Sequence, residues 1–315
     1  MGSLRISRWI GLVMPVLLLA PGGCATVAAV HPVVASDLGA PSRTSTLEAS
    51  LSQRGVVTFE RIVFARWTAG RGAFIDRNDS RTAGVPKGME EAVIYAYVID
   101  HPRFGRYLID SGVSQDLEPR LNPLMRRALH DLNIRIERTT AEWLQGGATP
   151  RAVFLTHLHF DHVGGLLDVP DDTSVYVGRG DVEERSWTYR LIGRPADIAL
   201  DGKGPLHEWA FTPDPDGAFA GIIDVFGDGS VWALSLPGHS PGSTGYLINA
   251  VDGPKLVVGD AVSTRLGWEQ AMPQPLPASA RADAEASADR LRRFSAAHPQ
   301  VEVFLGHQSR TDQTD

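Results

Sequence analysis

The stretch Thr156-His157-Leu158-His159-Phe160-Asp161-His162 constrains this chain more than any other part of it. Three imidazoles and a carboxylate fall within six residues, directly after a short apolar run at 153–156. Such a run reads as a buried strand, so the donors stand where that strand leaves the core. His157 and His159 are two apart, and in extended backbone both rings then point to the same side. Asp161 follows on that side. His162 takes a neighbouring position as the chain enters a helix, with Val163-Gly164-Gly165 giving the backbone freedom for the turn. A single His-x-His is ordinary polar surface, whereas four donors in register at a strand tip form a metal site. Imidazole and carboxylate donors suit zinc, and also iron, manganese, cobalt or nickel.

Three later donors have the same setting. His239 lies in Pro237-Gly238-His239-Ser240-Pro241-Gly242, a turn-forming cluster after a strand predicted at 231–236. Asp260 follows the apolar run 256–258 and Gly259. A carboxylate at the end of a buried strand is costly unless paired or metal-bound. His307 follows a strand predicted at 301–305 and Gly306. The other five histidines, His31, His101, His130, His207 and His298, lack this setting and read as ordinary surface or helix residues.

Further strands are predicted at 56–67, 92–100, 106–110, 175–177 and 246–249, and helices at 121–132, 140–145, 181–191 and 278–297. The Gly- and Arg-rich stretch 68–91 has no periodicity, is long for a connection, and is a candidate active-site flap. Strands dominate both halves with helices between them. That pattern predicts an α/β protein of two packed sheets with helices outside, in one domain.

Charge and the amino terminus limit partners and location. The 37 acidic and 30 basic residues give a net charge of -7 and are interspersed, leaving no basic face for nucleic acid. Residues 1–20 read as an export signal: Arg5 and Arg8 precede an apolar stretch at 9–20 that is too short to span a bilayer. The only cysteine, Cys24, ends Pro21-Gly22-Gly23-Cys24, which is similar to a bacterial lipobox. Residues 1–24 are therefore expected to be an export signal of lipoprotein type. The mature protein would be periplasmic, with a lipid anchor at Cys24 as its only membrane contact. An ordinary cleaved signal and a retained N-terminal anchor are the alternatives. One cysteine excludes an internal disulfide. Residues 25–52 read as a tether and 53–315 as the catalytic domain.

His157-x-His159-x-Asp161-His162, followed by His239, Asp260 and His307, resembles the seven-ligand, two-metal pattern of the metallo-β-lactamase superfamily. The resemblance covers residues 56–307 and implies a four-layer αββα sandwich with its site at one edge between the sheets. It implies two divalent ions per chain, zinc first among the candidates. His157, His159 and His239 would hold one ion, Asp161, His162 and His307 the other, with Asp260 bridging. Two such ions share a hydroxide formed near neutral pH and polarise a carbonyl oxygen. The resemblance also gives Asp161 a catalytic role, passing a proton from the bridging water to the leaving group; the plainer role is that of a ligand alone. With the one cysteine in the export signal, a cysteine acyl-enzyme has no support.

An aspartate at the bridging position resembles the glyoxalase-, lactonase- and phosphodiesterase-like branches more than the zinc β-lactamases. Ile94-Tyr95-Ala96-Tyr97-Val98-Ile99, Leu108-Ile109-Asp110-Ser111-Gly112, the histidine motif and Phe304-Leu305-Gly306-His307 are similar to N-acyl homoserine lactonases. Those enzymes carry a tyrosine three residues after the bridging aspartate, where this chain has Ser263. Trp268 and Met272, within 267–277, either line an apolar pocket or pack their own loop. The expected function is cleavage of a small-molecule lactone or related carboxylic ester by the bridging hydroxide. The alternatives are hydrolysis of a thioester, β-lactam or organophosphate ester and, from a different class, iron-dependent persulfide-type oxidation.

Overall fold

Residues 92–99 are buried at every position, which requires a strand covered on both faces. They lie in β3 (Met89–His101). Ile94, Ala96 and Val98 face one core with Leu108, Val153 and Val175 and with Val163 and Leu166 from the segment after the histidine motif. Tyr95, Tyr97 and Ile99 face a second core with Phe154, Tyr176, Val231, Tyr246 and Ile248. The alternation follows from the two-residue period of a strand. The computed structural model describes residues 31–39, 46–147, 149–182 and 195–310. The expected export signal lies outside them, as does most of the helix expected at 181–191.

β3 pairs antiparallel with β2 (Thr58–Gly70) and with β4 (Gly105–Ile109). Beyond β4 the sheet runs parallel through β6 (Ala152–Phe154), β7 (Ser174–Val177) and β8 (Leu206–Glu208) to β1 (Val33–Ala35), and β5 (Arg135–Ile136) closes the other edge. The second sheet contains β9 (Ile222–Asp224), β10 (Val231–Ser235), β11 (Thr244–Ala250), β12 (Gly253–Val257) and β13 (Glu302–Phe304), in the order β13-β12-β11-β10-β9. Its outer face, including Trp232, Leu234, Leu256 and Val303, packs against Leu291 and Phe294 of the helix Ala278–Ala297. Helix, sheet, sheet, helix is the expected αββα order, and the core between the sheets is apolar with aromatic rings such as Phe154, Trp209 and Tyr246 among its aliphatic side chains.

Several boundaries differ from expectation for local reasons. Main-chain pairing carries β2 and β3 past their apolar periodicity to Gly70 opposite Met89, so the connection is 71–88 and not 68–91. The helix expected at 121–132 is Pro123–Asp131, and a separate turn of helix, Leu117–Arg120, precedes it. Asn122 separates them, its side chain accepting from Met125 N while Pro123 occupies the first helical position. The helix at 140–145 carries a capping box between Thr139 and Glu142.

Of the expected tether at 25–52, the described residues 31–39 and 46–52 are instead built into the fold. β1 extends the larger sheet, and in the helix Leu47–Ser50 the Leu47 side chain is fully buried. Ser50 Oγ accepts from Trp232 Nε1 at 3.1 Å, and its carbonyl accepts from Asn249 Nδ2 at 2.9 Å. A three-residue strand and one helical turn are too short to show a period, which is why composition alone misread them. His101 is also corrected: it is buried at the end of β3, where Nδ1 accepts from the Arg103 and Phe104 amides and Nε2 lies 3.0 Å from Asp228 Oδ2. His207 is half-buried on β8, 3.2 Å from Asp37 Oδ1. Both are structural. Among the described residues no helix is long and apolar enough to cross a membrane.

Candidate metal centre

Four strand ends deliver the seven predicted donors to one edge of the sandwich. His157, His159, Asp161 and His162 follow β6, His239 follows β10, Asp260 follows β12, and His307 follows β13. The Thr244 amide donates to the Thr156 carbonyl at 2.8 Å, tying the two sheets together beside the motif. Three sets of donor atoms each converge within 4.8 Å: His157 with His159 and His239, His157 with His162 and Asp260, and Asp161 with His162 and His307. Asp260 stands between the first and last sets. Its Oδ2 is 3.5 Å from His239 Nε2 and 3.2 Å from His307 Nε2, and its Oδ1 is 3.8 Å from His162 Nε2. Asp161 Oδ2 is 3.3 Å from His307 Nε2.

The cluster is chemically incomplete as protein alone. Nε2 of His157, His159 and His162 and Oδ1 of Asp260 are buried without a hydrogen-bond partner among the described residues. Four such atoms in one place would be costly unless something binds them. Burial, and then the neighbouring imidazoles, hold His157 and His159 well below the usual imidazole range, which leaves them neutral with lone pairs free to ligate. Burial works against an ionised Asp260, but His307 and His239 outweigh it and hold the carboxyl well below its usual range. Burial likewise opposes charge on His162 and His307. The Asp110 carboxylate nonetheless lifts His162 to about 10, and Asp260 raises His307. The carboxylates thus draw positive charge into the cluster, a demand that divalent cations meet. The donor set fits such ions.

A supporting shell orients the rings. His162 Nδ1 donates to Asp110 Oδ2 at 2.8 Å, and Asp110 Oδ1 accepts from the Thr156 amide at 2.8 Å. Asp110 is buried and has a φ of 56°, a backbone strain that persists only where the surroundings fix it. His307 Nδ1 donates to the Val93 carbonyl at 3.0 Å and His239 Nδ1 to Gln274 Oε1 at 2.9 Å. Such partners fix the tautomer that leaves the other nitrogen facing the ion. Gly306 is needed because a Cβ there would lie 2.0 Å from Asp260 Oδ1.

Sequence reasoning assigned no role to Asp110 or Gln274. The rule that singled out Asp260, an aspartate at the end of a buried strand, applies equally to Asp110. Gln274 sits in an aperiodic loop with no such signal. Ser240 has the Gly-x-Ser-x-Gly spacing of a nucleophile elbow, but it lies in a strand-to-strand turn and its buried Oγ pairs with Ser243 Oγ at 2.9 Å, so a serine nucleophile is not supported. Ser263 is buried, and its carbonyl accepts from the His307 amide. Trp268 belongs to the core of the smaller sheet, whereas Met272 lines a cavity with Phe74, Ser263 and Gln274. Phe74 and Trp67 pack on His307, with ring centroids 6.3 and 5.6 Å away. A separate cavity of about 260 Å³ adjoins the motif, lined by Ile94, Val113, Leu117, Leu129, Phe160 and Gly164 among others.

Residues 90–307 match the family model of the metallo-beta-lactamase superfamily. The chain is 31% identical over 162 residues to the N-acyl homoserine lactonase AttM of Agrobacterium fabrum, covering 51% of this chain and 59% of that protein. It is 28% identical over 232 residues to AttM of Azorhizobium caulinodans, covering 67% of this chain and 80% of that one. For several of these relatives the match spans only about half to three fifths of their own length. A crystal structure of a B. thuringiensis AiiA variant with N-decanoyl-L-homoserine at its active site is similar, with a TM-score of 0.58 and 18% identity over 80% of this chain and 94% of that one. At that identity the likeness is one of fold.

Proposed function

The chain belongs to the metallo-beta-lactamase superfamily, and from that premise we propose that it is a two-metal hydrolase that opens lactones or related carboxylic esters. The observation that carries the reading is the meeting of two donor sets at Asp260, with four buried ligand atoms left unpartnered among the described residues. His157, His159 and His239 would hold one ion, and Asp161, His162 and His307 the other, with the Asp260 carboxylate between them. Zinc is the first candidate, because neutral imidazole and carboxylate donors suit it. When bound, such a pair supplies a water nucleophile ionised near neutral pH and Lewis-acid polarisation of the carbonyl.

The residues around the ions do the positioning. Asp110, Gln274 and the Val93 carbonyl keep His162, His239 and His307 in register. Asp161 faces the cluster beside His307 and would move a proton from the attacking water to the departing alkoxide. The cavity beside Phe160, whose wall joins Ile94, Val113, Leu117 and Leu129 to Ser114, Glu118 and Asn133, supports a substrate with an aliphatic chain and a polar group, because the motif that carries the donors also forms its wall. Lactones with an acyl chain, the class named for the AttM relatives, meet both conditions. We further propose that the protein is exported and lipid-anchored at Cys24.

The test is a screen of metal-loaded protein against aliphatic and N-acyl lactones, aryl esters, thioesters, cephalosporins and organophosphate esters. Lactone turnover rising with chain length is expected. Ready thioester, cephalosporin or organophosphate hydrolysis with no turnover of any lactone would overturn the lactone reading and leave a superfamily hydrolase of another bond.

A further inference from the structure

We infer that Gln274 is a positioning residue that fixes His239 in its metal-binding tautomer and ties that ring to the turn carrying Asp260. The inference rests on the two-metal reading above. Gln274 Nε2 lies 2.7 Å from the Asp260 carbonyl and 3.1 Å from the Ala261 carbonyl. Carbonyl oxygens can only accept, so the amide nitrogen must face them and Oε1 must face His239. An oxygen at 2.9 Å from Nδ1 requires the imidazole proton to sit on Nδ1. The Nε2 lone pair then points toward Asp260 Oδ2 and His159, into the donor cluster. One amide therefore sets the state of one ligand and the backbone position of another.

The loop that holds Gln274 is anchored from elsewhere. The Asp76 amide donates to the Pro273 carbonyl at 2.8 Å. Asp76 Oδ2, almost fully buried, is 2.6 Å from an Arg281 guanidinium nitrogen, and Arg281 Nε donates to the Leu276 carbonyl at 3.1 Å. Pro273 and Leu276 flank Gln274, so the 71–88 connection braces the amide from both sides. The expected flap is thus joined through Gln274 to the first donor set.

Two variants separate the effects. Gln274→Leu removes the acceptor and both donors at similar size, while Gln274→Glu keeps an acceptor for His239 but sets a carboxylate against two carbonyls. Metal affinities come from competition with a chromophoric zinc chelator, and the His239 ring proton from ¹⁵N-edited NMR of zinc-loaded protein, assigned with a His239→Ala sample. We expect Gln274→Leu to weaken one of two zinc ions by roughly 10- to 100-fold and to lose the slowly exchanging Nδ1 proton, with the second ion retained. Gln274→Glu should keep that proton. Unchanged affinity for both ions in both variants, with only a lower melting temperature of the metal-free chain, would overturn the proposal and leave Gln274 a loop brace. A wild-type chain with no zinc would instead remove the two-metal reading, and this proposal with it.

Discussion

Asp260→Ala is expected to strip at least one of the two ions and to cut turnover by roughly 10³-fold, the equivalent of about 4 kcal/mol of lost transition-state stabilisation. The size follows from position. Asp260 Oδ2 is within 3.5 Å of both His239 and His307, one histidine from each of the two proposed ion sites. Gly306 exists at its position to let this carboxylate in, and an alanine at 260 leaves that space empty. Removing an acid that faces His162, His239 and His307 together, as Asp161 also does, weakens the pull on positive charge that makes the cluster a cation site. Elemental analysis and ester turnover of the same sample measure both effects. Full metal content with near wild-type turnover would show that Asp260 does not bridge.

Asp161→Asn is expected to depress aliphatic lactone turnover by an extra ~10²-fold relative to p-nitrophenyl ester turnover, the usual worth of general acid help. An aliphatic alkoxide is a poor leaving group and needs a proton as it departs, whereas nitrophenolate leaves unaided. Asparagine preserves the size of the side chain and a carbonyl oxygen near His307 Nε2 but cannot take up a proton and release it again. Because the same carboxylate belongs to the second donor set, metal occupancy must be measured in the variant. An equal fall for both substrates at full occupancy would leave Asp161 a ligand alone.

The site was legible in the sequence because its chemistry is local. Four donors lie within six residues, and each late donor follows an apolar run and a glycine, so a strand tip could be inferred at each. The sheets were legible where apolar runs such as 92–100 and 246–249 show a strand pattern, although burial on both faces appears only in the structure. What sequence hid is set by contacts far apart in the chain. Gln274 gains its meaning only from His239 and the Asp260 carbonyl, and its loop only from Asp76 and Arg281. Leu47 and β1 join the fold through elements too short to leave a periodic trace. His101 looked like a surface histidine because its partner, Asp228, is distant in sequence and lies on the other sheet's connecting turn.

The most direct measurement is the metal content of the purified full chain, followed through chelation and reloading. Close to two divalent transition-metal ions per chain are expected, with lactone turnover lost on chelation and restored when metal is returned. A chain that holds no tightly bound metal, and hydrolyses lactones undiminished by chelator, would contradict the account at its centre.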